Sequence, residues 1–379
     1  MTQSPIILMS GSDQTRSTVI ASIQGNGHHL VEPCPTDPET LAEELDRRRY
    51  PVALVDLGPD AAAMLGRLEP LVDRFSGTRF VAVTDRPAND LMLEAMQAGV
   101  RHVIDRAELP TELRPILRRL HGAAATGGGG AGRIVTLFSA SGGSGATTVA
   151  VNLGRELAAG ENHSCLLLDM DLHHSTAAIY LDVEPQYRWD SVLNSPQAID
   201  ADLIATSSHD CGGGLSLLSG PSHLGGSGDV PLPLERLGEM LAACRRAAGS
   251  VVIDAPRLPA EVMQELAQAS DVCLVLLQLS VKDLRATKKL LDLLEARGVP
   301  RQKLLPVANR YARRPSRVTP QEGERLLGTG SMRTLRNDYK AACRAVDFGK
   351  PLAEVAPRSA FRKDLLKLAE TLSTAAVKG

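Results

Sequence analysis

The chain is 379 residues long, 43% hydrophobic and 23% charged, with a formal net charge of −2. That length predicts two domains, and the near-neutral balance argues against nucleic-acid binding driven by overall charge. No apolar run approaches the 18 or so residues needed to span a bilayer, and the N-terminus lacks a secretory signal pattern, so a cytosolic protein is expected. The six cysteines are scattered without a CxxC and read as reduced thiols. His173 and His174 are adjacent, but no second ligand cluster accompanies them, so no metal site is expected there.

Residues 1–121 alternate strand and helix patterns. Apolar strands are predicted at Ile6–Met9, Val52–Val55, Phe80–Val83 and Val103–Ile104, with a weaker one near Leu30. Helices are predicted at Thr15–Gln24, Glu39–Arg49, Ala61–Phe75, Ala88–Ala98 and Leu109–Leu120. Five such βα units imply a small doubly wound domain with a parallel sheet. The spacing resembles a response-regulator receiver domain. Asp56, ending VALVD, falls where receivers carry the phospho-accepting aspartate, and Thr84 matches their hydroxyl residue. The acidic pair that would hold Mg²⁺ is replaced by Ser10-Gly11-Ser12, and Arg106 stands where a lysine is expected. Asp56 therefore reads as a strand-end or capping residue, and the domain as a pseudo-receiver offering a surface for protein contacts.

His121 to Gly132, HGAAATGGGGAG, reads as a flexible linker, with residues 122–132 joining the first domain (1–121) to a second (133–379). The second domain opens with RIVTLFSASGGSGATTVAVNLG, Arg133 to Gly154. Ile134–Phe138 is an apolar strand, the residues to Ala146 form a loop of small side chains, and a helix follows to about Gly160. A strand, a glycine-rich turn and a helix N-terminus make a phosphate cradle, in which backbone N–H groups converge on an anion. A working P-loop places lysine before the Ser/Thr, where Ala146 sits. ParA/MinD-type loops carry a second lysine, where Ser141 sits. Both cations are missing, while Thr147 remains available to Mg²⁺.

Further strands are predicted at Cys165–Leu168, Val251–Ile253, Val272–Leu277 and Leu304–Ala308, with short strand or loop pieces at Leu203–Ala205 and Leu215–Leu218. Helices are predicted at Leu232–Ala248 and Leu284–Arg297, and short helices fill the remainder. This is a second, larger doubly wound α/β domain. Polar residues recur at its strand ends, where an open α/β sheet binds its ligand. Asp171 follows the second strand and is a candidate to orient water. Asp254, in VVIDAP, suits a Mg²⁺ site, and the Asn309 amide could contact an adenine edge.

Together these features resemble the MinD/ParA class of deviant-Walker ATPases, and within it the CpaE/TadZ group of Flp (Tad) pilus assembly proteins. The stretches SGGSGATTVAVNLG, LLLDMDLHHSTAAIYLD, GLSLLSGP, VVIDAP and NDYKAACRAVDFGKPLAEVAP carry the likeness. The resemblance implies ATP and Mg²⁺ as ligands. Gly142, Gly143, Ser144, Gly145, Ala146, Thr147 and Thr148 would surround the phosphates, with Asn309 and Arg310 also contacting the nucleotide. Thr147, Asp169 and Asp254 would serve the metal, and Asp171 catalysis. It further implies a homodimer that works with pilus secretion machinery at the inner face of the membrane, at the cell pole. The lost lysines favour a scaffold that binds ATP with little or no hydrolysis. A slow ATPase cycling between monomer and dimer, and a DNA-partitioning relative, are the alternatives.

Two surface segments carry open readings. Arg310, Arg313, Arg314 and Arg317 form a basic segment that is either a solvated face or a contact for phosphate, lipid or DNA. Phe361–Val377 is either a docked terminal helix or a membrane-surface helix.

Overall fold

A computed structural model describes residues 4–23, 29–125, 132–159, 163–172, 175–196, 198–221, 233–256, 258–312 and 318–374. The chain forms two compact units, one comprising Met1–Gly127 with Asn194–Ser207, the other Gly128–Leu193 with Ser208–Gly379.

In the first unit, strands β1 (Ser4–Met9), β2 (His29–Cys34), β3 (Val52–Asp56), β4 (Arg79–Thr84) and β5 (His102–Asp105) alternate with helices α1 (Asp13–Ile23), α2 (Pro38–Arg47), α3 (Ala61–Arg74), α4 (Asn89–Gln97) and α5 (Leu109–Ala125). The sheet is parallel throughout, in the order β2-β1-β3-β4-β5. Helices on both faces bury it, and the stretches Ile6–Met9 and Val52–Val55 of its central strands are continuously apolar. Ile7, Met9, Ala53 and Val55 face one core; Ile6, Leu8, Val52 and Leu54 face the other. The linker reading gives way at its start, because α5 continues past Leu120 to Ala125. Alanine is the best helix former and carries the chain through Gly122. The glycine run 126–131 lies outside the described residues.

The winding reverses between β1 and β3, the place where such a sheet opens a crevice. Ser10 and Asp56 stand at those two strand ends, and Arg106 fills the space between them. Its guanidinium donates to both Asp56 oxygens, at 2.8 and 2.9 Å. The Ser10 hydroxyl donates to the same carboxylate at 2.7 Å, and the Gly58 N–H at 3.1 Å. Burial by itself would raise the Asp56 pKa; the bonds from Arg106, Ser10 and Gly58 outweigh it and bring the pKa down to about 2.

The second unit contains β6 (Arg133–Ser139), α6 (Ala146–Leu157), β7 (Cys165–Asp169), α7 (Ala177–Leu181) and α8 (Trp189–Leu193). After α9 (Ala201–Ser207), which belongs to the first unit, come β8 (His209–Asp210), β9 (Leu215–Leu218), α10 (Leu237–Ala247), β10 (Ser250–Ala255), α11 (Ala260–Ala269), β11 (Val272–Leu277), α12 (Val281–Ala296) and β12 (Leu304–Tyr311). The chain ends through α13 (Pro320–Leu327), β13 (Arg333–Arg336), α14 (Tyr339–Asp347), α15 (Leu352–Val355) and α16 (Ala360–Thr374). The sheet order is β13-β12-β11-β6-β10-β7-β9-β8, parallel except for the β8–β9 pair. Between β10 and β11 the chain crosses over β6, so the crevice opens at the end of β6.

Helix α16 settles one of the open readings. Phe361, Leu365, Leu368 and Leu372 are buried in the same core as α6, and Arg362 pairs with Glu156 at 2.6 Å. Burying four such side chains contributes about 2 kcal/mol each before entropy, so the apolar stripe is spent inside the protein and not on a membrane. Among the described residues, no helix is long and apolar enough to cross a membrane. Arg313, Arg314 and Arg317 of the basic segment lie outside the described residues.

Segment Leu203–Ala205, expected as strand or loop, is helical. Asp200 caps α9 by accepting from the Leu203 N–H at 2.8 Å. Within the first unit, Arg101 grips Asp200 with two hydrogen bonds, at 3.2 and 2.9 Å, and Arg79 pairs with Asp202. The His102 Nδ1 donates to the Thr206 carbonyl at 3.2 Å. Leu203 and Ile204 are buried. The chain thus leaves the second unit after Leu193 and returns at Ser208, so the units are joined at three points of the sequence. Arg101→Met should weaken the α9 attachment by about 1 kcal/mol, visible as faster amide hydrogen exchange in residues 201–207 with other helices of the first unit unaffected. Unchanged exchange there would show that the apolar contacts suffice.

Candidate functional site

The loop between β6 and α6 turns twice through left-handed backbone, at Gly143 (φ 77°) and Gly145 (φ 86°). Gly145 is the N-cap of α6 and offers no side-chain acceptor, so the first N–H groups of the helix face the loop cavity uncapped. Side chains from distant strands hold the loop open. Asn309, at the end of β12, donates from Nδ2 to the Ser144 carbonyl at 2.7 Å. Gln278 donates to the Gly143 carbonyl at 3.2 Å, and the Ser139 and Ser144 hydroxyls meet at 2.6 Å. The resulting cavity of about 260 Å³ is lined by residues from Ser139 to Thr148, with Asp171, Thr176, Pro256 and Arg310 on its walls.

Asn309, expected at a base edge, uses its amide Nδ2 to latch the β6–α6 loop, and its Oδ1 accepts from the Arg310 N–H at 2.8 Å. It still lines a second cavity of about 220 Å³, together with Arg336, Asn337, Tyr339, Cys343 and Phe361. Gly145, Thr148 and Arg310 line both cavities, so the two meet there. Arg310 holds a positive φ of 53°, unusual for a residue with a Cβ, and its side chain is exposed. A mostly apolar slot beside a phosphate-sized cradle is the arrangement a nucleotide requires.

The metal candidates separate. Asp254, ending β10 between β6 and β7, is fully buried, and no hydrogen bond of normal geometry reaches either carboxylate oxygen. Burial, then the neighbouring Asp169 and Asp171, push its pKa up to about 8, with the Thr147 hydroxyl beside it pulling the other way. An orphaned carboxylate beside a hydroxyl at a phosphate cradle fits a Mg²⁺ ion carried in by phosphates and water. Among the described residues no group of three or more His, Cys, Asp or Glu could hold a metal alone. Asp169, expected with the metal, spends its oxygens on the protein. Oδ2 accepts from the Ser175 hydroxyl at 2.8 Å and the Ala177 N–H at 3.0 Å, and Oδ1 from the Asp171 N–H at 3.1 Å. Its carbonyl accepts from the Trp189 indole at 2.8 Å. Asp169 therefore organises the segment that brings Asp171 to the cavity wall.

Both missing-lysine positions lie in the cradle. Ala146 starts α6, and the Ser141 hydroxyl donates to Asp283 Oδ1 at 2.8 Å. That bond joins residues 142 positions apart, and no local pattern in the sequence announces it.

Gly145 gives a direct test of the cradle. A Cβ there would lie 2.7 Å from Asn309 Nδ2, at a backbone angle L-residues avoid. Gly145→Ala should cost about 1–3 kcal/mol of stability and lower affinity for a Mg²⁺-nucleotide at least about tenfold. Thermal unfolding and calorimetry read the two effects. Wild-type affinity in this variant would mean the loop does not hold phosphate.

Neither a protein-family model nor a curated relative matches the chain. Solved structures do. A ParA family ATPase from Chlorobium tepidum TLS superposes with a TM-score of 0.59 at 22% identity, covering 63% of this chain and 99% of that one. The cell division ATPase MinD of Pyrococcus furiosus gives 0.54 at 22% identity, covering 64% and 99%. The septum site-determining protein MinD of Pyrococcus horikoshii OT3, complexed with Mg-ADP, gives 0.53 at 20%, covering 64% and 97%. Over about 63% of its length the chain shares the α/β fold of these MinD and ParA-type ATPases.

Proposed function

We propose that this protein is a localisation or assembly factor that binds a Mg²⁺-nucleotide and hydrolyses it little or not at all. The observation that supports the reading is the cavity lined by the β6–α6 loop, in which neither Ser141 nor Ala146 supplies a cation, together with a buried Asp254 carboxylate that accepts no hydrogen bond of normal geometry. Thr147 and Asp254 would hold Mg²⁺, which when bound neutralises phosphate charge. The backbone from Gly142 to Thr148 would orient the phosphates, and the slot beside Tyr339 would take the base. Asp171 stands on the cradle wall where it could direct water, but developing charge on a transferred phosphoryl group would meet no lysine.

The first unit is read as a pseudo-receiver, since its ligand crevice is filled by Arg106. The combination of such a domain with a MinD-like one is what the CpaE/TadZ resemblance implies, and with it a role in positioning Flp (Tad) pilus machinery at the inner face of the membrane. Self-association is expected to be largely independent of nucleotide, because Ser141 is too short to reach a partner's phosphate.

Calorimetry with Mg-ATP alongside a turnover assay tests the reading. Binding without turnover is expected. Turnover at the rate of lysine-bearing ATPases, abolished by Asp171→Ala, would make the protein an enzyme. Light scattering on the full chain, with and without Mg-ATP, tests association: a dimer formed only with ATP would contradict the scaffold reading.

A further inference from the structure

We propose that the cradle is selective for a nucleoside diphosphate over the corresponding triphosphate. This inference rests on the nucleotide-binding reading and concerns which ligand the site retains.

The parts of a P-loop divide their work along the phosphate chain. Backbone N–H groups and the helix N-terminus cradle the α- and β-phosphates, whereas the lysine reaches the β- and γ-phosphates, so that the γ-phosphate depends on it most. Here the inner part is intact. Gly143 and Gly145 keep their left-handed turns, α6 is uncapped, and Asn309 and Gln278 donate to the loop carbonyls of Ser144 and Gly143. Arg310 sits where the cradle meets the base slot, so its charge falls toward the inner phosphates.

The outer part is inverted in sign. Ser141 and Gly142 line the cradle but not the base slot. In place of a lysine ammonium, Ser141 presents a hydroxyl whose proton is already given to Asp283. The Asp283 side chain is 8% exposed and its own N–H is bonded to Ser280 Oγ, so this carboxylate is fixed one hydroxyl away from the cradle. Lys282 Nζ lies 3.5 Å from Asp283 Oδ1, but that side chain is 79% exposed and its charge is screened by solvent. A terminal phosphate would thus add negative charge beside a buried carboxylate, with Arg310 at the far end the sole cationic residue among the described lining of the cradle. The diphosphate avoids that encounter and still uses the loop, Thr147 and the metal position at Asp254.

The test is calorimetry on the full-length protein with Mg-ADP and Mg-ATP. The expected result is tighter binding of Mg-ADP by about tenfold or more. Asp283→Asn should reduce that ratio several-fold by strengthening Mg-ATP binding, with Mg-ADP binding unchanged. Should that variant fail to fold, Ser141→Lys reads the same charge with opposite sign and should favour Mg-ATP. Mg-ATP binding as tight as Mg-ADP in the wild type would overturn the inference while leaving the nucleotide reading intact. Loss of that ATP binding in Lys282→Ala would then identify Lys282 as the compensating cation. Binding of neither nucleotide would overturn both.

Discussion

Replacing Arg106 with Met is expected to destabilise the first unit by about 3 kcal/mol, because it strands a buried carboxylate. Asp56 is 5% exposed at its side chain and receives two of its four hydrogen bonds from the Arg106 guanidinium. Arg106 also reaches the Thr15 hydroxyl and pairs with Asp85 at 2.8 Å, so one side chain ties together α1, β3 and the end of β4. The pH dependence gives a sharper signature than the midpoint. In the wild type the folded pKa of Asp56, about 2, lies below the ordinary 3.8. Its contribution is therefore complete above pH 4 and is lost as pH falls toward 2. Without the guanidinium, burial dominates and the pKa rises above the ordinary value, so the variant should lose stability as pH increases past 4. Urea unfolding at pH 4 and pH 7 should show the gap widening with pH. An equal gap at both would mean that the charge on Asp56 is not what the arginine balances. The same geometry predicts that small phosphodonors leave Asp56 unlabelled, since its carboxylate is buried and both oxygens are bound by the guanidinium; labelling abolished by Asp56→Asn would refute that.

Period and composition disclosed the elements whose burial is uniform. Val272–Leu277 is a strand over the same residues in sequence and structure, because both faces of a central parallel strand are covered and every residue is apolar. The β13 strand, RTLR, escaped because three of its four residues are polar; it is a sheet edge, and only Leu335 enters the core. Helix α9 escaped because three apolar residues in a row suit either period. The glycine-rich loop between β6 and α6 was legible because its glycines lie close together in the chain. What its neighbours do was not. Asn309 and Ser141 bond partners far away in sequence, Ser144 and Asp283, and Asp169 bonds the Ala177 N–H eight residues on, so no local pattern gives the direction of the first two side chains. The base-sized slot was invisible for the same reason, since Tyr339 and Phe361 meet Asn309 only after β13 joins the sheet.

Asp254→Asn should move stability and binding in opposite directions. In the folded protein without nucleotide, burial first and then Asp169 and Asp171 raise the Asp254 pKa to about 8, against an ordinary 3.8. A carboxyl raised in this way contributes its full stability only below pH 4, and that contribution is lost as pH rises toward 8. Asparagine has the same shape and never ionises, so the variant should match the wild type near pH 4 and exceed it by about 2–4 kcal/mol at pH 7–8. The Asp254 oxygens accept no hydrogen bond of normal geometry and have the Thr147 hydroxyl beside them, so little protein bonding is lost when a metal arrives. Ionising the carboxyl for Mg²⁺ releases a proton, so Mg²⁺-nucleotide affinity of the wild type should rise with pH up to about 8 and then level off. Calorimetry in buffers of different ionisation enthalpy reads that proton directly. In Asp254→Asn both the proton release and most of the Mg²⁺-dependent affinity should vanish, while the unfolding midpoint at pH 7.5 goes up. A variant that binds Mg²⁺-nucleotide like the wild type, or is less stable at pH 7.5, would place the metal elsewhere and leave the buried charge of Asp254 without a role in binding.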